Sequence, residues 1–360
     1  GGGGIARFGL NDVSVLFPFP ETTSDGLYRA SDVAAYGEIL PLTVLQAVGP
    51  IARIPCAPGS GVGCEATETV DATRPRLRVV GVRIDPCFPA LAGATCRRQV
   101  RFVMQPFSAE FEDDALHVFY DLPKADFDAL VLELESVSHA TAKDLPLGVH
   151  PLLAQQGTTG AFAVALRKAL FARVGGARIS RVTAMQMTIN GGGWSFRGFD
   201  FDATGQATPI GILGTPELKQ AASGFGAISA PIPIFAADSP FSLLWTNQIA
   251  AATPTDRQAA YDAALLIENP AKKSVEQESC VACHSALFER AAVEHSFGLS
   301  SAGNPNAFSA PFDLSLTAKP EVRESKNMLH AFGYRFHDAA ISQRTVNESA
   351  AVAEYLSAQP

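Results

Sequence analysis

Within the stretch QESCVACHSALFER, Cys280, Cys283 and His284 stand as Cys-x-x-Cys-His. No other part of the chain constrains it as much. On a helix, two thiols separated by two residues lie about one turn apart, and an imidazole directly after the second thiol is carried with them. Six cysteines and seven histidines in 360 residues rarely fall into that order by chance. The two-residue gap matches the spacing of the two vinyl groups of a haem, to which both thiols add as thioethers. The histidine is then left to bind iron through Nε2. A thioredoxin-like redox pair and a further disulfide are the competing readings. Neither accounts for the histidine, and the βαβ pattern of thioredoxins is absent. The expectation is one covalent haem c, held by Cys280 and Cys283, with His284 as the proximal axial ligand.

The remaining cysteines form two close pairs, Cys56 with Cys64 in CAPGSGVGC and Cys87 with Cys96 in CFPALAGATC. Each brackets a loop rich in small residues, the pattern of a disulfide-closed loop in an oxidising compartment. A four-cysteine zinc site fits less well, because zinc cysteines come as closer knuckles. Two disulfides, 56–64 and 87–96, are therefore expected. Together with a haem attached outside the cytoplasm they place the protein in the periplasm, on the outer membrane or outside the cell. No run of about 18 apolar residues reads as a transmembrane segment. The opening GGGGIARFG reads either as the tether that follows a lipidated cysteine or as a residue of cloning, the lipoprotein tether being preferred.

Composition is 47% hydrophobic with 23 phenylalanines, enough for a large core. The formal charge is -8 and the basic residues are dispersed, which argues against nucleic acid. The same charge reads first as solubility, with a docking face for a basic redox partner protein as the functional alternative.

Along the chain, VSVLFPFP, RLRVVGVRIDP, RQVRFVMQPF and LHVFYDLP read as strands. RVTAMQMTINGGGWSFRGFDFD reads as a hairpin. ADFDALVLELESV places Phe127, Leu130, Val131 and Leu134 on one helical face, and GAFAVALRKALFARV does the same with Phe162, Leu166 and Leu170. From Thr253 onward the texture turns helical, through TPTDRQAAYDAALLIENP, the pentad itself, and a closing TVNESAAVAEYLSAQ. In that last segment Thr345 and Glu348 have capping-box spacing, and Val352, Tyr355 and Leu356 form an apolar stripe. The expected architecture is α+β: a β-rich, sandwich-like domain over residues 1–250 and a small all-α domain over 251–360.

The last hundred residues resemble class I cytochromes c. The likeness rests on Cys280, Cys283 and His284 on a helix, on a later methionine, and on a closing amphipathic helix with the aromatic Tyr355. It implies a methionine sulfur as the sixth iron ligand, and Met328 is the methionine of this part. The likeness departs at the proline-broken helix before the motif and at the missing glycine-rich turn after the histidine. His330 is the alternative ligand, with His295 and His337 further options. The whole chain is also similar to secreted bacterial proteins that end in a single haem motif followed by AFGY and ISQRTVNESA.

Signals in residues 1–250 are faint. Asp200 and Asp202 before Gly205 have an Asp-x-Asp spacing open to calcium, but a turn produces the same residues. The acidic run Glu110 to Asp114 reads as a solvated loop, and His117, His139 and His150 are too scattered in sequence to make a metal site. The leading functional expectation is one-electron transfer by an exported monohaem protein whose first domain docks a partner or a surface. The alternatives are a peroxidase- or oxygenase-like haem enzyme with an open sixth site, and a binding protein whose haem is redox-silent.

Overall fold

The structure is a computed structural model. It describes residues 7–20, 26–55, 65–86, 97–138, 145–187, 193–211, 219–223, 229–232, 240–245, 247–274, 278–317 and 329–359. The four cysteines of the expected disulfides, Cys56, Cys64, Cys87 and Cys96, lie outside these residues, as do His139 and Met328.

The chain is α+β and is organised around one antiparallel sheet of nine strands. In chain order these are β1 (Ser14–Leu16), β2 (Leu77–Asp85), β3 (Gln99–Pro106), β4 (Ala115–Asp121), β5 (Ile179–Met187), β6 (Gly193–Phe201), β7 (Ala207–Pro209), β8 (Lys219–Ser223) and β9 (Ser229–Ile232). They follow one another in space as they do in sequence, except that β7 and β8 both pair with β6. Among the described residues there is no second large sheet, so the expected sandwich is not formed. Helices take its place. One face of the sheet, through Val82, Val100, Phe102, Val118, Tyr120 and Val182, shares a core with α1 (Lys124–Ser138) and α2 (Ala161–Phe171). Phe127, Leu130 and Leu134 of α1 are buried, as are Phe162, Leu166 and Leu170 of α2, the faces that the helical period marks.

The expected helical texture after Thr253 is found in α3 (Pro254–Ile267), α4 (Cys280–Phe297) and α5 (Gln343–Ser357). Ser/Thr caps start all three: Thr253, Ser279 and Ser342 each accept a backbone N–H from the first turn. The last cap corrects the expected capping box. Thr345 is already inside α5, and its hydroxyl donates to the carbonyl of Ala331 at 2.7 Å.

Residues 251–360 are also not all-α, because Phe332–Arg335 (β10) and Asp338–Ile341 (β11) form a hairpin laid on the sheet. The side-chain amide of Gln105 donates to the Tyr334 carbonyl at 2.7 Å and its oxygen accepts the Tyr334 N–H at 2.7 Å. The Tyr334 hydroxyl donates to the Phe17 carbonyl at 2.5 Å. The closing helix places Val346, Ala350, Val352, Ala353 and Leu356 in the same core as Phe8, Leu10 and Val15, while Tyr355 is half-buried beside it. A second core joins α3 to one side of α4 through Tyr261, Ala264, Leu265, Ala282, Ala286 and Val293. The expected boundary near residue 250 thus runs between two segments whose hydrophobic residues meet in one core.

Candidate functional site

The second face of the sheet carries polar residues in register. Arg83 of β2 lies opposite Arg101 of β3, Arg101 opposite Phe119 of β4, Phe119 opposite Arg181 of β5, and Arg181 opposite Asp200 of β6. Because side chains alternate along a strand, His117, two residues before Phe119, points to the same face. The Arg101 guanidinium lies 4.5 Å from the Phe119 ring centre, and Arg181 Nε donates to Asp200 at 2.6 Å. In the sequence this row is written only as single polar residues inside apolar strands. The register of five strands is needed to see that they share one surface.

Helix α4 crosses this face with its N-terminal turn against β6 and β8. Val281, Leu329, Met185, Trp194 and Phe196 pack together there, and the side-chain oxygen of the buried Gln220 accepts the Val281 N–H at 2.9 Å. Between helix and sheet lies a cavity of about 530 Å³. Cys280, Cys283 and His284 all open onto it from α4, Arg344, Thr345 and Glu348 from α5, and His117, Phe119, Phe196 and the arginine row from the sheet. The sequence pentad therefore faces strands β2 to β6, all of them from the chain before residue 202.

His284 is oriented by its Nδ1–H, which donates to the Leu329 carbonyl. That bond fixes the tautomer and leaves Nε2 free to bind a metal. Burial lowers the imidazole to about 4, against the raising effect of the Leu329 bond, so the ring is neutral at physiological pH. Burial likewise pushes the Cys280 thiol up to about 11 and the Cys283 thiol up to about 12. Both are free thiols. A redox-active pair needs its thiolate stabilised, and this environment does the opposite.

The cavity lining holds six arginines, Arg83, Arg97, Arg101, Arg181, Arg197 and Arg344, against three carboxylates, Asp200, Glu278 and Glu348. The chain as a whole carries a charge of -8. The cavity thus reverses the sign of the protein around it, a setting for an anionic group that bidentate guanidinium donors can hold. Glu348 ties part of the lining together, accepting from Arg83 at 2.7 Å and from Arg344 at 2.7 Å. It is desolvated, yet Arg344, Arg83 and Arg101 hold its carboxyl well below the usual range.

His330 lines the cavity but is buried, and its Nε2 is engaged by Asp113 at 2.5 Å, whose other oxygen accepts the Trp194 indole N–H at 3.2 Å. The acidic run expected to be solvated is therefore buried at its end: Asp113 serves His330, and Asp114 accepts the Met187 N–H at 2.7 Å. His337 is exposed near Glu110, and His295 lies in the last turn of α4. Asp200 pairs with Arg181, while Asp202 closes a turn on Thr204 and Gln206. Among the described residues no cluster of three or more carboxylate, cysteine or histidine side chains forms a metal site, and no helix is long and apolar enough to cross a membrane. His150 stacks on Phe162 in the core, away from the cavity. His117 is the residue that sequence reasoning set aside and that the fold brings to the pentad, its ring centre 6.5 Å from that of His284.

No known protein family, no curated protein and no solved structure matches the chain.

Proposed function

We propose that this is an exported monohaem c-type protein that transfers single electrons, with the haem in the cavity between α4 and the arginine-bearing face of the sheet. The observation that carries the reading is the convergence of Cys280, Cys283 and the Leu329-anchored His284 on one cavity. Cys280 and Cys283 would hold the group by thioether bonds, and His284 would bind its iron through the free Nε2. The positive lining supports the reading, because the two propionates of a haem need cationic partners when buried. A haem bound there supplies an iron that takes up and gives back one electron. The protein's part is to exclude water, to orient His284 through Leu329, and to fix the arginines through Glu348, Asp85 and Asp200. With the positive charge gathered in the cavity, the rest of the surface carries the negative charge, which suits docking of a basic redox partner.

The test is a redox titration of the purified holoprotein. Reversible one-electron reduction, with a ferrous form that does not take up carbon monoxide, is the expected result. Ready carbon monoxide binding would favour the second reading, a haem enzyme. For that reading the specific support is Arg197, a lining cation bonded to the carbonyls of Val48 and Pro50 and to Gln186, which leaves its charge for a small anionic substrate.

A further inference from the structure

The proposed haem leaves open what stands opposite His284; Met328, His330, His295 and His337 compete in the sequence, and Met328 lies outside the described residues. Leu329 has its carbonyl on the Nδ1 edge of His284, the edge turned away from a metal bound at Nε2. His330, the next residue, has its Nε2 engaged by Asp113. His117 comes from the other wall of the cavity, at the centre of the sheet, between Val103 of β3 and Thr183 of β5.

We propose that His117 is the second axial ligand, so that one haem iron is held between an imidazole from helix α4 and an imidazole from strand β4. Two imidazoles on opposite sides of one metal ion, each bonded at about 2 Å, have ring centres roughly 6 Å apart; those of His117 and His284 are 6.5 Å apart with their planes inclined by 34°. Both rings line the same cavity. No hydrogen bond among the described residues engages either nitrogen of His117. The ring is only partly buried and faces the cavity, where a metal would give it a partner. The strand fixes the ligand more rigidly than a loop would, since β4 is paired on both sides.

This inference rests on the covalent haem of the preceding section. It is tested by electron paramagnetic resonance and absorption spectra of ferric holoprotein from wild type and from His117→Ala, Met328→Ala and His330→Ala variants. The expected result is a low-spin wild type with two nitrogen ligands and no sulfur-to-iron charge-transfer band. His117→Ala should lose the low-spin signal and bind carbon monoxide when reduced, and added imidazole should restore low spin. Met328→Ala should leave the spectra unchanged, and His330→Ala should keep a low-spin signal with two nitrogen ligands. His117→Met guards against a misfolded alanine variant, and is expected to gain the charge-transfer band and a higher reduction potential. A wild-type charge-transfer band that Met328→Ala removes and His117→Ala keeps would overturn the assignment. So would a spectrum that no His117 variant alters. A chain that matures without covalent haem, seen as haem lost on denaturation, would instead overturn the reading on which the assignment rests, and the assignment with it.

Discussion

Arg83 of β2 donates to Glu348 of α5 at 2.7 Å, across 265 residues of sequence. The pair forms part of the cavity wall and joins the first half of the sheet to the last helix. Both side chains are nearly inaccessible, and Glu348 is shared with Arg344. Removing one member of a buried ion cluster leaves the other charge desolvated, which costs about 3–5 kcal/mol. Glu348→Gln is therefore expected to lower unfolding stability by that order in chemical denaturation.

The pH dependence follows from the same carboxyl. Its folded value is depressed by three arginines, so the folded state binds fewer protons than the unfolded chain. The stability it contributes is present above the ordinary carboxylate range and is lost as pH falls below it. Wild type should lose stability steeply on acidification, and Glu348→Gln should show a shallower slope over the same range. Equal slopes would show that Glu348 does not carry the acid sensitivity.

Gly81 of β2 lies under the ring of Phe332, and a Cβ built there would come within 2.5 Å of that ring. The glycine lets hairpin β10–β11 lie flat on the sheet beside the cavity. Gly81→Ala should cost about 1–3 kcal/mol through overpacking, and pairing it with Phe332→Leu should recover part of the loss. Denaturant midpoints of the single and double variants check this.

Asp113 joins His330 to Trp194 beneath the segment whose Leu329 carbonyl orients His284. Asp113→Ala leaves two buried donors without a partner, a penalty of about 1–3 kcal/mol for each. The expected outcome is lower stability together with a changed Trp194 fluorescence. An unchanged emission spectrum would contradict the indole bond.

Local signals in the sequence carried well, because they depend on neighbours. The period of Phe127, Leu130 and Leu134 gives the buried face of α1, and Thr253 caps α3 from the position its residue type marks. The pentad lies in the first turn of a helix, as the sequence leads one to expect. What could not be read was register. Arg83, Arg101, Phe119 and Arg181 meet only because four strands align at those positions, and nothing in a single strand encodes its partner's offset. The same reason hid Asp113, which looks like part of an acidic loop until His330 is placed on it, and His117, which looked isolated. The all-α expectation for the end of the chain failed at Phe332–Ile341 because a short hairpin held by Gln105 and Gly81 carries no strong periodicity of its own.

Arg101 lies on the cavity wall with Asp85 and Phe119 as partners. A buried cation near a redox iron favours the reduced form. For a haem in the proposed site, an effective dielectric constant of about 20 and an assumed charge separation on the order of 10 Å would give an interaction of about 1–2 kcal/mol. Arg101→Gln should therefore lower the midpoint potential by some tens of millivolts in a spectroelectrochemical titration. A potential unchanged or raised would place the iron elsewhere.

Whether Cys280 and Cys283 carry a haem in this cavity is measured most directly by the intact mass of the denatured protein after expression with a cytochrome c maturation system. The expected mass is that of the chain plus one haem, retained under denaturing conditions and lost in the Cys280→Ala/Cys283→Ala double variant. A wild-type chain at its bare mass, with both thiols still open to alkylation after unfolding, would contradict it.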